Sequence, residues 1–321
     1  MIRRYECICR TAIVITLALG LLTAGQAASK DDAAITTSGD RLWVGFNGLL
    51  VQIHTGTRQI ESTARTGRFA VDVVADRERA WMLSTEGGAG PSRITRESTK
   101  ARLGTRSRPV PGVGAGLALW RGSIWAVVNR AGGGGQLVQF APDLGRVRRS
   151  IPLPGAARGV AAWKGGLWIA LDRQLGRYDG RRVRLRAPSG SGEESPFALR
   201  PRGSTLWVGN YDTGGGAIAR IGNSGPIAVA KFPRERPLVD IAANPAGGAW
   251  VLSLRGETGV GSITLVGTTA RSAAHAAQFT GWPSALTLDR GIVWVVRPRV
   301  RVVTGIDTQT GTLVATIRLP T

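Results

Sequence analysis

SALTL (284–288), DRG (289–291), IVWVV (292–296), RPRVR (297–301), VVTGID (302–307), TQTG (308–311) and TLVATIRL (312–319) follow one another without a break near the end of the chain. Four apolar, β-branched stretches alternate with three short polar or glycine-bearing links. That is the pattern of a four-stranded antiparallel meander. The same order opens the regular part of the chain, with AAITTSGDRLWVG (33–45), LLVQIH (49–54), TGT (55–57) and RQIES (58–62).

Between these two units the tryptophan of the second stretch keeps returning, as Trp43 (LWV), Trp81 (AWM), Trp125 (IWA), Trp168 (LWI), Trp207 (LWV), Trp250 (AWV) and Trp294 (VWV). The spacings are 38, 44, 43, 39, 43 and 44 residues. Four strands per unit at such a period describe the blade of a β-propeller. The fold class expected is therefore all-β, a seven-bladed β-propeller of four-stranded antiparallel blades. The blades should run near 33–64, 65–110, 111–154, 155–189, 190–233, 234–280 and 281–321, consecutive in sequence and with no strand exchanged between the ends. One blade cannot bury both faces of its sheet, so each must stack on its neighbours, and the recurring tryptophan is the natural wedge. Trp120 (LWRGSIW) and Trp163 (AWKGGLW) stand one turn earlier. They are expected to cover the lower rim, with an exposed contact pair as the alternative.

Through the positions G-x-x-W-V (291–295) and I-D-x-x-T-G (306–311), the chain resembles the secreted propellers of the streptogramin lyase (virginiamycin B lyase) type and the related YVTN-like repeats. The resemblance implies the propeller fold. It also implies that a lyase would carry a histidine and acidic residues around a divalent metal. The chain has two histidines, His54 at the turn between a third and a fourth strand and His275 in SAAHAAQF on or near an outermost strand. Neither can be matched to the lyase histidine.

The N-terminus has Arg3 and Arg4, an uncharged apolar run from Thr11 to Ala24, then Gly25 and Ala27. This reads as a signal peptide over 1–27, leaving 28–321 as a single propeller domain, exported to a periplasm or outside the cell. An uncleaved anchor is the alternative, disfavoured because about 20 apolar residues are needed to cross a bilayer. No transmembrane segment is expected after cleavage. Cys7 and Cys9 both fall in the leader, so the mature chain would have neither a disulfide nor a cysteine-held zinc.

Catalytic chemistry is hard to assemble from these residues. Carboxylates on the loop face (the end of the ring bearing the loops after each second strand) are Glu86, Asp172, Asp212 and Glu257, with Glu193 and Glu194 between blades four and five. They recur at no common repeat position, and the calcium pattern D-x-[DN]-x-[DN]-G is absent. There is no G-x-S-x-G and no suitably placed base for a serine nucleophile. AGGGG (131–135) and DTGGGA (212–217) lack the Lys-Ser/Thr ending of a phosphate loop. No metal and no cofactor is implied.

Charge is the remaining signal. The full chain has 42 basic and 21 acidic residues; loss of the leader would leave 39 and 20, a net +19. Such a surface attracts polyanions. Anionic glycans, cell-envelope polymers or acidic proteins fit an exported protein; nucleic acid is disfavoured because no recognition motif is present. Much of the charge lies in GRVRRS (145–150) and RRVRLR (181–186), where it would protect outer strand edges. The candidate binding residues are Arg234 and Arg236 at the entry to blade six, Arg255 in its upper loop, Arg297 and Arg299 in the upper loop of blade seven, and Trp282 between them. The reading is an exported, non-enzymatic binding or scaffold propeller. The alternative is a lyase- or hydrolase-type enzyme using loop-face carboxylates.

Overall fold

In the computed structural model, residues 33–87, 90–99, 104–186, 195–212, 215–222, 225–255, 258–267 and 273–321 are described. The leader with Cys7 and Cys9, and residues Glu193, Glu194 and Glu257, lie outside them. The described chain forms 28 strands in seven four-stranded antiparallel sheets. Blade one is β1–β4 (Ala33–Arg65) and blade two β5–β8 (Phe69–Val110). Blade three is β9–β12 (Val113–Leu153) and blade four β13–β16 (Ala157–Arg186). Blade five is β17–β20 (Ser195–Pro233), blade six β21–β24 (Leu238–Phe279) and blade seven β25–β28 (Ala285–Arg318). Every blade is consecutive in sequence, as the repeat predicted, and only blade one runs a residue past its expected end. Around DTGGGA (212–217), β18 continues to Asp212 and β19 begins at Gly215. Among the described residues no helix is long and apolar enough to cross a membrane.

The first turn of a blade is tight. In blade seven Arg290 and Gly291 join β25 to β26 with φ of 46° and 79°. Two successive positive φ values belong to the turn that matches strand twist, and a glycine in the second place relieves the strain.

The seven repeated tryptophans all sit on second strands, 0–8% exposed. Side chains alternate across a strand, so each tryptophan leaves its own sheet toward the following blade. Trp43 packs with Ala70, Val73 and Met82 of blade two, Trp207 with Leu238 and Ile241 of blade six, and Trp294 with Ala33, Val44 and Phe46 of blade one. The last cluster closes the ring. Among the described residues there are seven such clusters and seven junctions, with one of the repeated tryptophans in each. Trp120 and Trp163 are buried too, at 9% and 7%. Trp120 lies 5.7 Å from Trp125 and 5.9 Å from Tyr178 between ring centroids, while Trp163 lies 5.4 Å from Trp168 and donates its indole N–H to Gly203 O. They cap the junctions and offer no exposed pair.

Replacing Trp207 or Trp294 by Ala should cost about 3–5 kcal/mol, the usual loss for a buried large aromatic. Equilibrium unfolding in denaturant measures it; a loss under about 1 kcal/mol belongs to surface substitutions and would contradict the wedge.

Candidate functional site

On β26 (Ile292–Arg297) alternation sends Trp294 and Val296 toward blade one, and Val293 and Val295 toward blade six. Arg297 shares the second parity, so its side chain is delivered to the junction of blades six and seven. Its Nη1 donates to Thr280 O at 3.3 Å, and its guanidinium carbon lies 5.9 Å from the Phe279 centroid. Nε of the same side chain is buried with no partner among the described residues. Desolvation by burial pushes the Arg297 pKa below the ordinary arginine value.

A short 3-10 turn, Pro298–Val300, follows and closes on Arg301 in the left-handed region at φ 52°. It carries Arg299 over the Trp282 ring at 4.0 Å, a cation–π contact. Trp282 is itself held in the left-handed region at φ 55°, and its backbone N–H donates to Gly259 O at 3.1 Å. A Cβ at Gly259 would fall 2.4 Å from Trp282 Nε1, so the indole can lie against the blade-six loop only because that residue is glycine.

The structure therefore brings Arg299 against Trp282, with Arg297 two residues earlier turned toward Phe279 and Thr280. Arg234 and Arg236 stand in the exposed turn before β21, closed by Arg236 N–H donating to Pro233 O at 2.9 Å. Arg255 is the exposed last residue of β22, opposite in parity to Trp250, Leu252 and Leu254, which face blade seven. These three arginines belong to the junction of blades five and six. Among the described residues, none of the five arginines is in an ion pair.

His54 ends β3 on the opposite face, where its Nδ1 accepts N–H bonds from Gly56 and Thr57 at 3.2 and 3.1 Å. Asp307 does the same in blade seven for Gln309 and Thr310, at 2.9 and 2.8 Å. His54 thus fills the place of a turn-capping aspartate, and an accepting Nδ1 leaves its proton on Nε2, 3.3 Å from Asp40 Oδ2. His275 lies on β24, the outermost strand of blade six. Asp172 pairs with Arg158 at 3.1 Å, both half exposed. Glu86 belongs to another blade, and the side chain of Asp212 lies outside the description. Among the described residues no three His, Cys, Asp or Glu side chains gather.

Solved structures share this architecture. Virginiamycin B lyase from Staphylococcus aureus superposes with a TM-score of 0.63 over 84% of this chain and 92% of its own, at 14% identity. A streptogramin B lyase gives 0.64 over 85% and 92%, at 15% identity, and hydrazine synthase from Kuenenia stuttgartiensis 0.60 over 89% and 94%, at 12% identity. The chain is a seven-bladed β-propeller. At such identities the likeness is one of fold. No protein-family model and no curated protein matches the sequence.

The propeller's central channel holds polar residues that the loop-by-loop reading passed over. Its wall is made by the inner strands of all seven blades around about 410 Å³. Asp72 and Asp240 each follow a bulge in their strand. One oxygen of each accepts the next residue's N–H, Val73 or Ile241, both at 2.9 Å. The other accepts from the inner strand of the next blade, Leu117 N–H at 2.9 Å or Leu286 N–H at 3.1 Å. Arg200 of blade five completes the set, donating to Asp240 Oδ1 at 2.8 Å and Ile241 O at 3.1 Å. Burial works against its charge, but Asp240 and then Asp72 outweigh that and hold the Arg200 pKa above the ordinary value. The shared signal was VDVV (71–74) and VDIA (239–242), a carboxylate at one register of two inner strands.

Asp240→Ala strands the Arg200 guanidinium and two backbone N–H groups, and should lower unfolding free energy by about 3 kcal/mol. Arg200→Met leaves Asp240 its two N–H donors and should cost about 1–2 kcal/mol. Equal losses in urea titration would deny that the aspartate is the centre of the clasp. At the lower turn, His54→Leu should cost about 1 kcal/mol by removing an acceptor, while His54→Asp should stay within about 0.5 kcal/mol of the parent. Thermal unfolding of the three proteins compares them, and a larger loss for Asp than for Leu would refute the capping role.

Proposed function

We propose that the protein is an exported, non-enzymatic binding propeller that takes an anionic polymer, a glycan or cell-envelope polymer, on the loop face of blades six and seven. The observation that carries this reading is Arg299 stacked on Trp282 beside Arg297, with no carboxylate paired to either arginine among the described residues. A guanidinium fork holds carboxylate, sulfate or phosphate oxygens through parallel hydrogen bonds, and an aromatic face next to it stacks on a sugar ring. Arg234, Arg236 and Arg255 extend positive charge to the preceding junction, along which a chain-like ligand would run. The net +19 expected after leader removal supports attraction from a distance. Two structural neighbours are named as lyases. A lyase activity here would need an acid and a base side by side, whereas Glu86 stands on blade two and Asp172 on blade four, held by Arg158.

Retention on a heparin column tests the site. Arg297→Glu with Arg299→Glu should elute at clearly lower salt than Arg182→Glu with Arg186→Glu, which makes the same charge change on the exposed outer edge of blade four. Salt should erase the difference, because exposed charges are screened over about 8 Å at physiological ionic strength. Equal shifts in the two double variants would mean that only total charge matters, and the localised site would fall.

A further inference from the structure

Behind the arginine rim, between the outer part of blade six and blade seven, lies a cavity of about 440 Å³. Its walls are of two kinds. Phe279, Ile306 and Leu313 are apolar, and Leu313 is 63% exposed at the margin of the cavity, the most exposed large hydrophobic residue of the described chain. Gln278, Arg297 and Thr304 are polar, and Arg297 is the only charged residue in the lining.

Two of these polar groups are unsatisfied. Thr304 is on β27 (Val302–Asp307), where Val303 packs toward blade one and Ile306 toward blade six. Parity sends Thr304 with Ile306 into the cavity. The residue is 2% exposed, and its Oγ1 has no partner among the described residues. Arg297 Nε is in the same condition. Leaving a buried donor unpaired is costly, and native proteins rarely do so without a water, ion or ligand to fill the place.

We infer that this cavity is a binding site for a small monocarboxylate with an apolar, ring-sized body. The carboxylate bonds to Arg297 and accepts from the Thr304 hydroxyl, while the body lies against Phe279, Ile306 and Leu313. A single arginine suits one negative charge; a dianion such as phosphate would be left half neutralised among apolar walls. The volume is within the usual range for small-molecule pockets, about 300–1,000 Å³, and far too small for a polymer, which would have to stay on the rim. The inference deepens the loop-face anion reading and rests on it for the unpaired state of Arg297.

Calorimetric titration of the purified protein with phenylacetate tests it. Saturable 1:1 binding is expected, at least about tenfold weaker for 2-phenylethanol, which keeps the ring and loses the charge. Arg297→Met should weaken phenylacetate about tenfold or more. Thr304→Val keeps the shape and removes the orphaned hydroxyl; it should weaken phenylacetate about threefold or more while leaving the thermal midpoint unchanged or raised. No saturable heat to about 10 mM phenylacetate, equal binding of the alcohol, or an affinity unmoved by both substitutions would overturn the site and leave the cavity to water. Heparin retention and phenylacetate titration are separate readouts, so the rim and the cavity can fail independently.

Discussion

The ring depends on one packing event carried out seven times, the burial of a second-strand tryptophan against the inner two strands of the next blade. A four-stranded sheet has two apolar faces and no means of covering them alone. The indole covers one, and the neighbour's indole covers the other. Accommodation is needed underneath as well. In blade seven, Gly305 lies directly across from Trp294, and a Cβ there would sit 2.9 Å from the indole ring. The large side chain and the missing one are parts of the same contact.

Near the axis the blades are joined by polar links as well. Asp72 and Asp240 tie their strands to the next blade through its own backbone N–H, and Arg200 binds back from the opposite direction. These groups satisfy one another, so the channel wall spends its hydrogen-bonding capacity on holding the ring together. Unused capacity is found further out, where the blades diverge, at the junction of blades six and seven. Arg297 and Thr304 are there with atoms that nothing in the described chain reaches.

What the sequence disclosed follows from this division. The tryptophan spacing is a direct record of the repeated contact and discloses the blade number, while the strand order in the first and last units discloses the absence of strand exchange. Which way a loop arginine faces depends on strand parity and on the residue where the strand ends. Arg255 and Arg297 each end the second strand of their blade, yet the neighbourhood of Arg297 is shaped by the Pro298–Val300 turn and by Trp282 at a positive φ. Neither is visible in a spacing. The channel aspartates were legible in principle as VDVV and VDIA, but a single polar residue inside an apolar strand draws notice only once the bulge beside it is known. The place of His54 at the turn between a third and a fourth strand is legible in the repeat, although its role as an acceptor rests on the Gly56 and Thr57 N–H directions.

Among the described residues no peptide link crosses the junction between blades seven and one. Its core has the same kind of members, Trp294 against Ala33, Val44 and Phe46, and Arg290 donates across it to Gly39 O at 3.1 Å. No shared sheet hydrogen bonds hold it, since each blade is complete in itself. The position of the covalent gap is therefore arbitrary with respect to the packing. A circularly permuted gene, opened between any other pair of blades and joined by a short linker from Arg318 to Ala33, would encode the same ring.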